Sequence, residues 1–588
     1  MTPAEYHAAA RKLREQRTGD SAQIRFACLA SYSLEFLDSF LTVEAGRHDI
    51  GLSAEYGPFG QIEQALLAYE NCPDQPDLWL IALRIEDQFP DAFFRSRDKN
   101  SESLKAMVGQ CIDRLRNCVS IIRRSSDAPV LIANFCVPYE QNHSRYFDAN
   151  CPHGTVSTVE TGNAELAALS DELADVAIWD YAGLVRASGS ANWTDQRLWQ
   201  LARQPIAARN RPTAAAHLAQ TINALFTPRA KCLVLDLDNT IWGGAAGDDG
   251  LEGIQLGDDH PGLAYKTFQR AVLALADQGV LLAACSKNDE EAARSIIESH
   301  PEMLIRWDDF VAARINWDDK SKNLIAIADE LNIGADSLVL FDDSPVEREE
   351  VRINAPAIEV IDVPASPLGY VDALFSCGHF DVSHVSNEDG ERRGFYRSEA
   401  RRRNHSSGFA SVEEFLSSLQ MNAQLASAGP ETLARVTQLI AKTNQFNLTT
   451  RRHGQAVIES LAASDLADVR CIRIADRFGD NGIVGVTATR FDGDEATIDT
   501  FLMSCRVMNR HVEDAMLYDV VLRAKNRNMK LLHGEYIPTN RNSIVADFYS
   551  EHGFRESGPG RESGTIFSIA IEDALDKLDW PATISIEH

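Results

Sequence analysis

Two aspartates, Asp236 and Asp238, stand one residue apart directly after the apolar run 232–235. That run is too short for a buried helix and has the length of a buried strand. Ligands of open α/β sheets bind outside the carboxyl ends of the strands, so both carboxylates are expected to face a site. Neither would be buried unpaired, because an isolated carboxylate is costly in an apolar interior. The alternative is a pair of surface carboxylates in a loop.

Later stretches of the chain add a hydroxyl, an amine and a second acid pair. Ser286 closes one apolar run, and Asp342 and Asp343 close another. Lys320 opens a helical stretch between them. Carboxylates gathered around one point repel one another unless a hard cation lies between them, and Mg²⁺ prefers such oxygen ligands. In combination these residues predict a Mg²⁺ site.

The order of these residues resembles the four motifs of the haloacid dehalogenase (HAD) superfamily of phosphotransferases, which begin here with Asp-x-Asp-x-Thr at 236–240. The resemblance implies that Asp236 attacks phosphorus. It implies that Asp238 protonates the leaving oxygen and later activates water. Ser286 would then donate a hydrogen bond to the phosphoryl group, and Lys320 would pair with the phosphoryl group and the nucleophile.

The same resemblance implies a set of metal ligands. These are the carboxylate of Asp236, the backbone carbonyl of Asp238 and the carboxylate of Asp342, with Asp343 in support. Mg²⁺ is the expected cofactor, because its octahedral shell combines a few carboxylates with phosphate oxygens and water.

The spacing of the motifs predicts a site without a large cap. Members of the superfamily that act on small metabolites usually close the site with a domain inserted after the first motif or between the second and third. Here one predicted helix, 262–278, and a loop fill the first interval, and the second interval is shorter. Segments below about 40 residues rarely build a core of their own. An open site suits a macromolecular substrate or a covering neighbour domain.

Four segments resemble FkbH-like proteins of polyketide biosynthesis more closely than the superfamily at large: 235–244, 253–257, 284–288 and 342–348. The resemblance implies a glyceryl transferase and phosphatase. It would bind D-1,3-bisphosphoglycerate, an acyl phosphate, and load the glyceryl group with loss of phosphate onto the phosphopantetheine thiol of an acyl carrier protein. The alternatives are a HAD-type Mg²⁺-dependent phosphatase on another phosphorylated substrate, with flanking binding domains, and a non-catalytic assembly module.

Cys285 has two interpretations. A thiolate beside the phosphate site could accept the glyceryl group and pass it on, because a nearby lysine and metal favour the thiolate. The other interpretation is a small buried residue closing an apolar strand, since free cysteine is among the most buried residue types. Cys505 is the second candidate for an acyl-carrying thiol.

The N-terminal region alternates strand and helix, which predicts a doubly wound α/β domain. It resembles the SGNH hydrolase fold, with Ser31 after the first strand, but 195–199 lacks the histidine that would supply the base. A serine without a base is a weak nucleophile, so Ser31 is predicted to cap a helix and the domain to be non-catalytic. The predicted strands are 24–30, 77–83 and 128–134, and the predicted helices include 101–124 and 163–174.

The C-terminal region is predicted to be an α+β domain, and 542–554 resembles the closing signature of GNAT acetyltransferases. That fold holds a pyrophosphate on a glycine-rich turn at a helix N-terminus. The corresponding turn, 506–511, has no glycine, which argues against acetyl transfer from coenzyme A. The groove could still accept the pantetheine arm of a carrier protein, with Arg506 and Arg510 meeting its phosphate. The alternative is an inert structural domain.

The stretch 391–403 is the most basic part of an acidic chain. It is either a solvated helical linker that contacts acidic neighbours or a docking surface for an acidic carrier protein, because opposite charges steer encounter. The six arginines of the proposed surface are Arg392, Arg393, Arg397, Arg401, Arg402 and Arg403.

Composition limits the partners and the location. A net charge of −29 argues against binding to nucleic acid and to anionic membranes. Eleven scattered cysteines and no apolar signal or spanning segment predict a cytoplasmic protein. The predicted fold class is a multidomain α/β protein, divided into an SGNH-like domain at 1–222, a HAD-like Rossmannoid domain at 228–375, a basic linker at 376–410 and a GNAT-like domain at 411–588.

Overall fold

In a computed structural model, the chain forms two compact units, residues 1–229 with 377–384, and residues 230–376 with 385–588. Each unit is described by itself. Among the described residues, no helix combines the length and the apolar character needed to cross a bilayer. The structure describes residues 1–16, 23–70, 72–88, 101–139, 145–152, 154–382, 394, 396, 398, 402, 405, 409, 411–504, 507–539, 541–560 and 564–586.

The N-terminal unit is built on a five-stranded parallel sheet with the order β2-β1-β3-β4-β5. Buried apolar clusters lie on both faces of the sheet, which confirms the predicted doubly wound α/β architecture. The strand order reverses between β1 and β3. The strands are β1 Gln23–Ala30, β2 Gly51–Tyr56, β3 Leu78–Ala82, β4 Val130–Ala133 and β5 Val176–Trp179.

Helices cover both faces of this sheet. Residues 377–382 also belong to this unit, where the side chain of Gln220 donates a hydrogen bond to Asp381 over 2.7 Å. The helices are α1 Pro3–Gln16, α2 Asp38–Gly46, α3 Ile62–Tyr69, α4 Ile85–Gln88, α5 Ser101–Ile122, α6 Arg145–Ala149, α7 Thr155–Glu172, α8 Tyr181–Ser188, α9 Ser190–Trp193, α10 Gln196–Ala202 and α11 Arg211–Phe226.

Ser31 does not cap a helix, so that prediction is wrong. The helical segment that follows begins after Leu34, and no side chain caps it. The hydroxyl of Ser31 instead accepts a hydrogen bond from the backbone N–H of Arg84 over 3.0 Å and donates to Asp87 over 3.3 Å. Ser31 therefore links the ends of two neighbouring strands, because β1 and β3 finish at the same edge of the sheet.

The second unit begins with another five-stranded parallel sheet, in the order β10-β9-β6-β7-β8. Its central strand, β6, is fully buried, as expected for a short apolar run between two neighbours. The strands are β6 Cys232–Leu235, β7 Leu281–Ser286, β8 Phe310–Ile315, β9 Leu338–Phe341 and β10 Glu359–Val360. The helices are α12 Ala246–Gly253, α13 Gly262–Asp277, α14 Glu290–Ser299, α15 Lys320–Leu331, α16 Pro345–Asn354 and α17 Tyr370–Ser376.

No cap domain is inserted into this part of the chain, whose backbone is described throughout 230–376. The interval between β6 and α13 contains only the short helix α12 and its loops. The interval between β7 and α15 contains α14 and the strand β8, which joins the main sheet.

The C-terminal part of the second unit is an α+β structure around a mixed sheet, ordered β17-β18-β16-β15-β14-β13-β11-β19, with β12 paired to β15. The strands are β11 Met421–Ser427, β12 Phe446–Asn447, β13 Ala467–Asp476, β14 Gly479–Asp492, β15 Glu495–Met503, β16 Leu531–Tyr536, β17 Arg555–Pro559, β18 Thr565–Ala570 and β19 Ile584–Ile586. The helices are α18 Val412–Ser418, α19 Leu433–Lys442, α20 Gln455–Ala462, α21 Val512–Asn526, α22 Phe548–Glu551 and α23 Ile571–Lys577.

The strands β15 and β16 pair in parallel over three residues only, and the chain itself occupies the space beyond. There β12 pairs with the end of β15, the N–H of Leu448 donates to Phe501 over 3.0 Å, and the N–H of Ile537 donates to Leu448 over 2.8 Å. Asn447 and Leu448 are fully buried. Because these backbone groups are already paired, this stretch of β15 is not available to a pantetheine arm.

Arg402 is the only arginine of the predicted docking surface among the described residues, and it is buried. Its guanidinium donates to both carboxylate oxygens of Asp476, over 2.6 and 2.9 Å, and only 2% of the residue is exposed. The prediction that Arg402 steers a carrier protein is therefore wrong, because a buried, paired charge does not attract a partner at the surface. Arg392, Arg393, Arg397, Arg401 and Arg403 lie outside the described residues.

Candidate active site

The nucleophile predicted from the sequence lies where β6 ends. The N–H of Asp236 donates to the carbonyl of Phe341 over 3.0 Å, so strand pairing continues through the first residue after β6. The pairing fixes the backbone of Asp236 against β9, and the residue is 6% exposed. Its carboxylate is thus held at the carboxyl edge of the sheet, next to the residues that follow β9.

Lys320, the first residue of α15, connects two of the predicted acids. Its ammonium donates to Asp236 Oδ1 over 2.7 Å and also to Asp342 Oδ2. Burial alone would lower the pKa of Lys320, but the two carboxylates outweigh burial and raise it. The lysine therefore stays charged and neutralises part of the repulsion between the acids.

The carboxylates of Asp236, Asp342 and Asp343 each offer an oxygen, and these oxygens lie within 4.8 Å of one another. Burial, followed by repulsion from Asp236, raises the pKa of Asp342 to about 7 despite Lys320. The same two causes raise the pKa of Asp343. The single positive charge of Lys320 does not offset the negative charge of three neighbouring carboxylates, whereas an additional hard cation would offset it. The donor set is all oxygen, so these residues fit Mg²⁺.

Asp238 points to a different set of partners. Its Oδ1 accepts hydrogen bonds from Trp242 Nε1 over 3.0 Å and from the N–H of Ala246 over 2.9 Å. Its Oδ2 accepts one from Asn288 Nδ2 over 2.9 Å. The carboxylate is not part of the metal-type cluster, which leaves only its backbone carbonyl for the predicted ligation. Burial raises the pKa of Asp238, and these hydrogen bonds oppose the rise. A carboxyl group with a raised pKa suits a proton donor.

Hydrogen bonds to backbone carbonyls hold the loops around the acids in place. Arg348 donates to the backbone carbonyls of Asp342 and Asp343, over 2.7 and 2.8 Å. The hydroxyl of Tyr370 donates to the carbonyl of Asn239 over 2.9 Å. Asn239 has a φ of 53°, in the left-handed region, so this contact supports a turn that most side chains disfavour.

Ser286 and Cys285 end β7, and both are buried. Ser286 is 2% exposed and lies at the same sheet edge as the acids, in keeping with its predicted place. Cys285 is fully buried, and burial raises the pKa of its thiol to about 12 although Lys320 opposes this. Burial outweighs Lys320, which by itself favours the thiolate, so the structure agrees with the interpretation of Cys285 as a small buried residue that closes an apolar strand.

Of the two predicted phosphate contacts of the C-terminal domain, Arg510 is described, and it does not lie at the surface. Arg510 is 7% exposed, and its guanidinium lies 3.8 Å from the carboxylate of Asp476, the partner of Arg402. That position argues against a contact between Arg510 and a ligand phosphate. Arg506 and Cys505 lie outside the described residues.

Sequence reasoning did not find the partners of Asp238. Asn288 follows Ser286 by two residues, and Trp242 follows Asp238 by four. Trp242 is near enough in sequence for a turn to bring its indole back to Asp238, so this contact could have been predicted from local spacing. Asn288 reaches Asp238 only because β6 and β7 are neighbours in the sheet.

In a reaction in which Asp238 transfers a proton, the Asn288→Ala variant should lose about tenfold in kcat with little change in KM. The substitution removes the donor to Asp238 Oδ2, and losing a hydrogen bond to the charged form raises the pKa of Asp238 further. If Asp238 acts as a proton donor, the alkaline limb of the pH–rate profile should move to higher pH. The exposed Asn354, which bonds to Glu350, provides the control variant Asn354→Ala. An unchanged kcat and profile would remove Asn288 from the mechanism.

Comparison with solved structures finds a likeness to the N-terminal part of the protein BF1531 from Bacteroides fragilis, which contains a phosphatase domain and is complexed with Mg. The two are 26% identical with a TM-score of 0.57, over 65% of this chain and 100% of that chain. The multidomain α/β prediction is thereby confirmed, and the likeness supports an enzyme.

Two acetyltransferase structures are much weaker matches. The ribosomal-protein-S18-alanine N-acetyltransferase from Escherichia coli is 13% identical over 25% of this chain and 94% of its own, with a TM-score of 0.21. A GNAT-family acetyltransferase from Staphylococcus aureus is 14% identical over 25% of this chain and 99% of its own, also with a TM-score of 0.21. Such scores carry no conclusion, so the GNAT-like, SGNH-like and FkbH-like assignments stay predictions. No protein-family model and no curated protein sequence matched the chain.

Proposed function

We propose that this chain is a HAD-type, Mg²⁺-dependent phosphatase in which Asp236 is the nucleophile. The observation that carries the proposal is the lysine bridge, in which Lys320 holds Asp236 and Asp342 inside a cluster of three carboxylates at one sheet edge. The likeness to a structure that contains a phosphatase domain complexed with Mg supports it. An amine that is buried and charged beside a nucleophile is suited to a substrate that brings negative charge.

The proposed chemistry takes place in two displacements. Lys320 occupies Oδ1 of Asp236, so Oδ2 attacks phosphorus. The bond from phosphorus to the leaving oxygen breaks, its electron pair goes to that oxygen, and Asp238 supplies the proton. Asp238, now a carboxylate, then takes a proton from water as the water oxygen attacks phosphorus, which releases phosphate and restores Asp236.

The remaining residues bind and orient. Ser286, at the end of β7, donates a hydrogen bond to the phosphoryl group, and Lys320 neutralises part of its charge. Asp236, Asp342, Asp343 and the backbone carbonyl of Asp238 would hold Mg²⁺. When bound, Mg²⁺ supplies compensation for the charge of the phosphoryl oxygens.

We further propose that the substrate is D-1,3-bisphosphoglycerate and the acceptor an acyl carrier protein. The carrier's phosphopantetheine thiol would lose its proton to the departing phosphate as its sulfur forms a bond to the acyl carbon, and the acyl C–O bond would break with its electron pair leaving on phosphate. The second phosphate, an ester, would be hydrolysed at Asp236. The resemblance of four segments to FkbH-like proteins and the lack of a cap domain in 230–376 support this substrate. The product would be a glyceryl unit for polyketide-type assembly.

The burial of Cys285 bears on the route of the acyl group. A fully buried thiol with a raised pKa is a poor acceptor, so we propose direct attack by the carrier thiol. A phosphatase acting on a different phosphorylated compound is the alternative function, and the same site chemistry would serve it.

One incubation separates these functions. The full chain, a phosphopantetheinylated carrier protein, Mg²⁺ and D-1,3-bisphosphoglycerate are combined, and the carrier is weighed by intact mass spectrometry while phosphate is assayed. A glyceryl adduct supports the full proposal. Mg²⁺-dependent phosphate release without an adduct supports the phosphatase alone. If neither a glyceryl adduct nor released phosphate were found, both functions would be contradicted.

Removal of Mg²⁺ gives a further expected result. Excess EDTA should abolish phosphate release, and Mg²⁺ should restore it. Because the ion binds the folded site, saturating Mg²⁺ should also raise the unfolding temperature, by an amount equivalent to about 2.7 kcal/mol at a hundredfold excess over Kd. The Asp342→Asn variant should lose this Mg²⁺-dependent rise. A Tm that responds to Mg²⁺ equally in both proteins would place the ion elsewhere.

A further inference from the structure

A salt bridge joins two loops at the sheet edge where the acids of the candidate active site lie. The ammonium of Lys287, the residue after β7, lies 2.9 Å from Oε1 of Glu347 in the first turn of α16. The helix α16 follows β9, and β7 and β9 flank β6 on its two sides. The salt bridge therefore connects the loops on both sides of the strand that carries Asp236.

The two carboxylate oxygens of Glu347 differ in their surroundings. Oε1 pairs with Lys287, whereas Oε2 is buried and has no hydrogen-bond partner among the described residues. A buried charged oxygen without a donor costs more than an ordinary buried polar atom. The terminal torsion of a glutamate is soft, so a small rotation can turn this oxygen towards an arriving donor. Glu347 thus offers an acceptor that the described part of the fold does not use.

Glu347 lies close to the reacting groups. Only Ser344 separates Asp343 from the first residue of α16. Burial is the largest cause of the raised pKa of the Cys285 thiol, and the negative charges of Asp236 and Glu347 add to it. The two carboxylates are therefore near the same buried residue, and a leaving group whose phosphoryl group lies at Asp236 is within reach of Glu347.

The charge of this salt bridge distinguishes between donors. The pair has no net charge, and the side chain of Lys287 is 33% exposed. An arriving ammonium group would meet the ammonium of Lys287, and like charges repel each other. A hydroxyl donates to a carboxylate without that repulsion. The pair is therefore suited to a neutral donor.

We propose that Lys287 and Glu347 select phosphate esters whose leaving group carries a neutral hydroxyl close to the ester oxygen. Glu347 accepts a hydrogen bond from that hydroxyl. Lys287 holds the carboxylate in place and repels a cationic leaving group. The inference rests on the proposed phosphatase activity at Asp236 and adds the residues that determine its specificity.

Three esters with one two-carbon skeleton test the inference on the full chain with Mg²⁺. They are 2-hydroxyethyl phosphate, ethyl phosphate and O-phosphoethanolamine, compared by kcat/KM for phosphate release. The wild type should prefer the hydroxyl ester to each of the others by about tenfold or more. Equal values for the three esters would contradict the inference, and so would turnover of p-nitrophenyl phosphate without turnover of 2-hydroxyethyl phosphate. No phosphate release from any of the four compounds would contradict the proposed function, and the inference with it.

Variants of Glu347 separate recognition from folding. Glu347→Leu removes the acceptor, so the preference for 2-hydroxyethyl phosphate over ethyl phosphate should fall by about tenfold. Glu347→Gln keeps an acceptor without the charge and should retain part of the preference. Glu349→Leu, at a side chain that is 63% exposed in the same helix, should keep the wild-type preference. The intrinsic reactivity of the esters cancels when proteins are compared. An unchanged preference in Glu347→Leu would contradict the inference, and so would an equal fall in Glu349→Leu.

Lys287→Met tests the selection by charge. The ratio of kcat/KM for O-phosphoethanolamine to that for 2-hydroxyethyl phosphate should rise by about tenfold, because the charge of Glu347 is then uncompensated and attracts the ammonium group. A general loss of structure would lower both values without raising this ratio. An unchanged ratio in Lys287→Met would contradict the proposed role of the lysine.

Discussion

The Asp236→Asn variant should release phosphate from p-nitrophenyl phosphate about 10⁴-fold more slowly than the wild type, or not measurably. An amide cannot form the covalent phosphoryl intermediate, so the loss should be in kcat. The fold should survive, because an amide retains the shape of the side chain and its carbonyl still accepts from Lys320. Phosphate release under saturating Mg²⁺, together with circular dichroism, measures both expectations.

A matched change at an exposed acid controls for charge. Asp372 is exposed on α17, and Asp372→Asn should keep wild-type turnover. Turnover in Asp236→Asn within about tenfold of the wild type would mean that Asp236 is not the nucleophile.

The Lys320→Met variant should be destabilised by about 3–5 kcal/mol in the free energy of unfolding, measured without Mg²⁺. The substitution removes the ammonium that pairs with Asp236 and Asp342 and leaves two buried carboxylates side by side. For a unit of this size, the unfolding temperature should fall by roughly 10 °C. Turnover should fall as well, by about 10³-fold, because the charge on the phosphoryl group loses a partner.

The loss of stability in Lys320→Met should depend on pH in a definite direction. A carboxyl group whose folded pKa is raised contributes stability at low pH and loses it as pH rises through the folded value. The pKa of Asp342 is about 7 with Lys320 in place and should rise further without it. The stability difference between Lys320→Met and the wild type should therefore shrink as pH falls from 8 towards 5, and Mg²⁺ should also reduce it.

Lys322 gives the control for this variant. It pairs with Asp319 in the same helix region, but its side chain is 74% exposed. Lys322→Met should cost about 0–1 kcal/mol, as surface ion pairs do. If the two lysine variants had the same unfolding temperature, the bridge would not contribute to stability.

The sequence predicted the site where its signals are local. The apolar runs before Asp236, Ser286 and Asp342 are buried strands, and their polar residues meet at one sheet edge because neighbouring parallel strands end together. The helix predicted at 262–278 is α13, Gly262–Asp277. The cluster could therefore be predicted from the order of the motifs and from the rule that neighbouring parallel strands end at the same sheet edge.

Other features depend on contacts that sequence spacing does not show. Asn288 reaches Asp238 across two strands, and Arg402 belongs to a basic stretch but is buried against Asp476, far along the chain. The basic composition predicted a solvated linker that contacts acidic neighbours or a docking surface, but composition shows neither the burial of Arg402 nor which acid pairs with it. The strands β2, β5 and β8 are among those that were not predicted: β2 contains Ser53 and Glu55, β5 has only four residues, and β8 contains Arg314.

The most direct measurement of the central claim is the covalent state of Asp236 during turnover. The full chain is mixed with Mg²⁺ and a phosphorylated substrate, quenched in acid, and examined by intact mass and peptide mapping. We expect one added phosphoryl group on the peptide that contains Asp236, removable with hydroxylamine and absent in Asp236→Asn. A phosphoryl group on another residue, or an adduct that persists in Asp236→Asn, would contradict it.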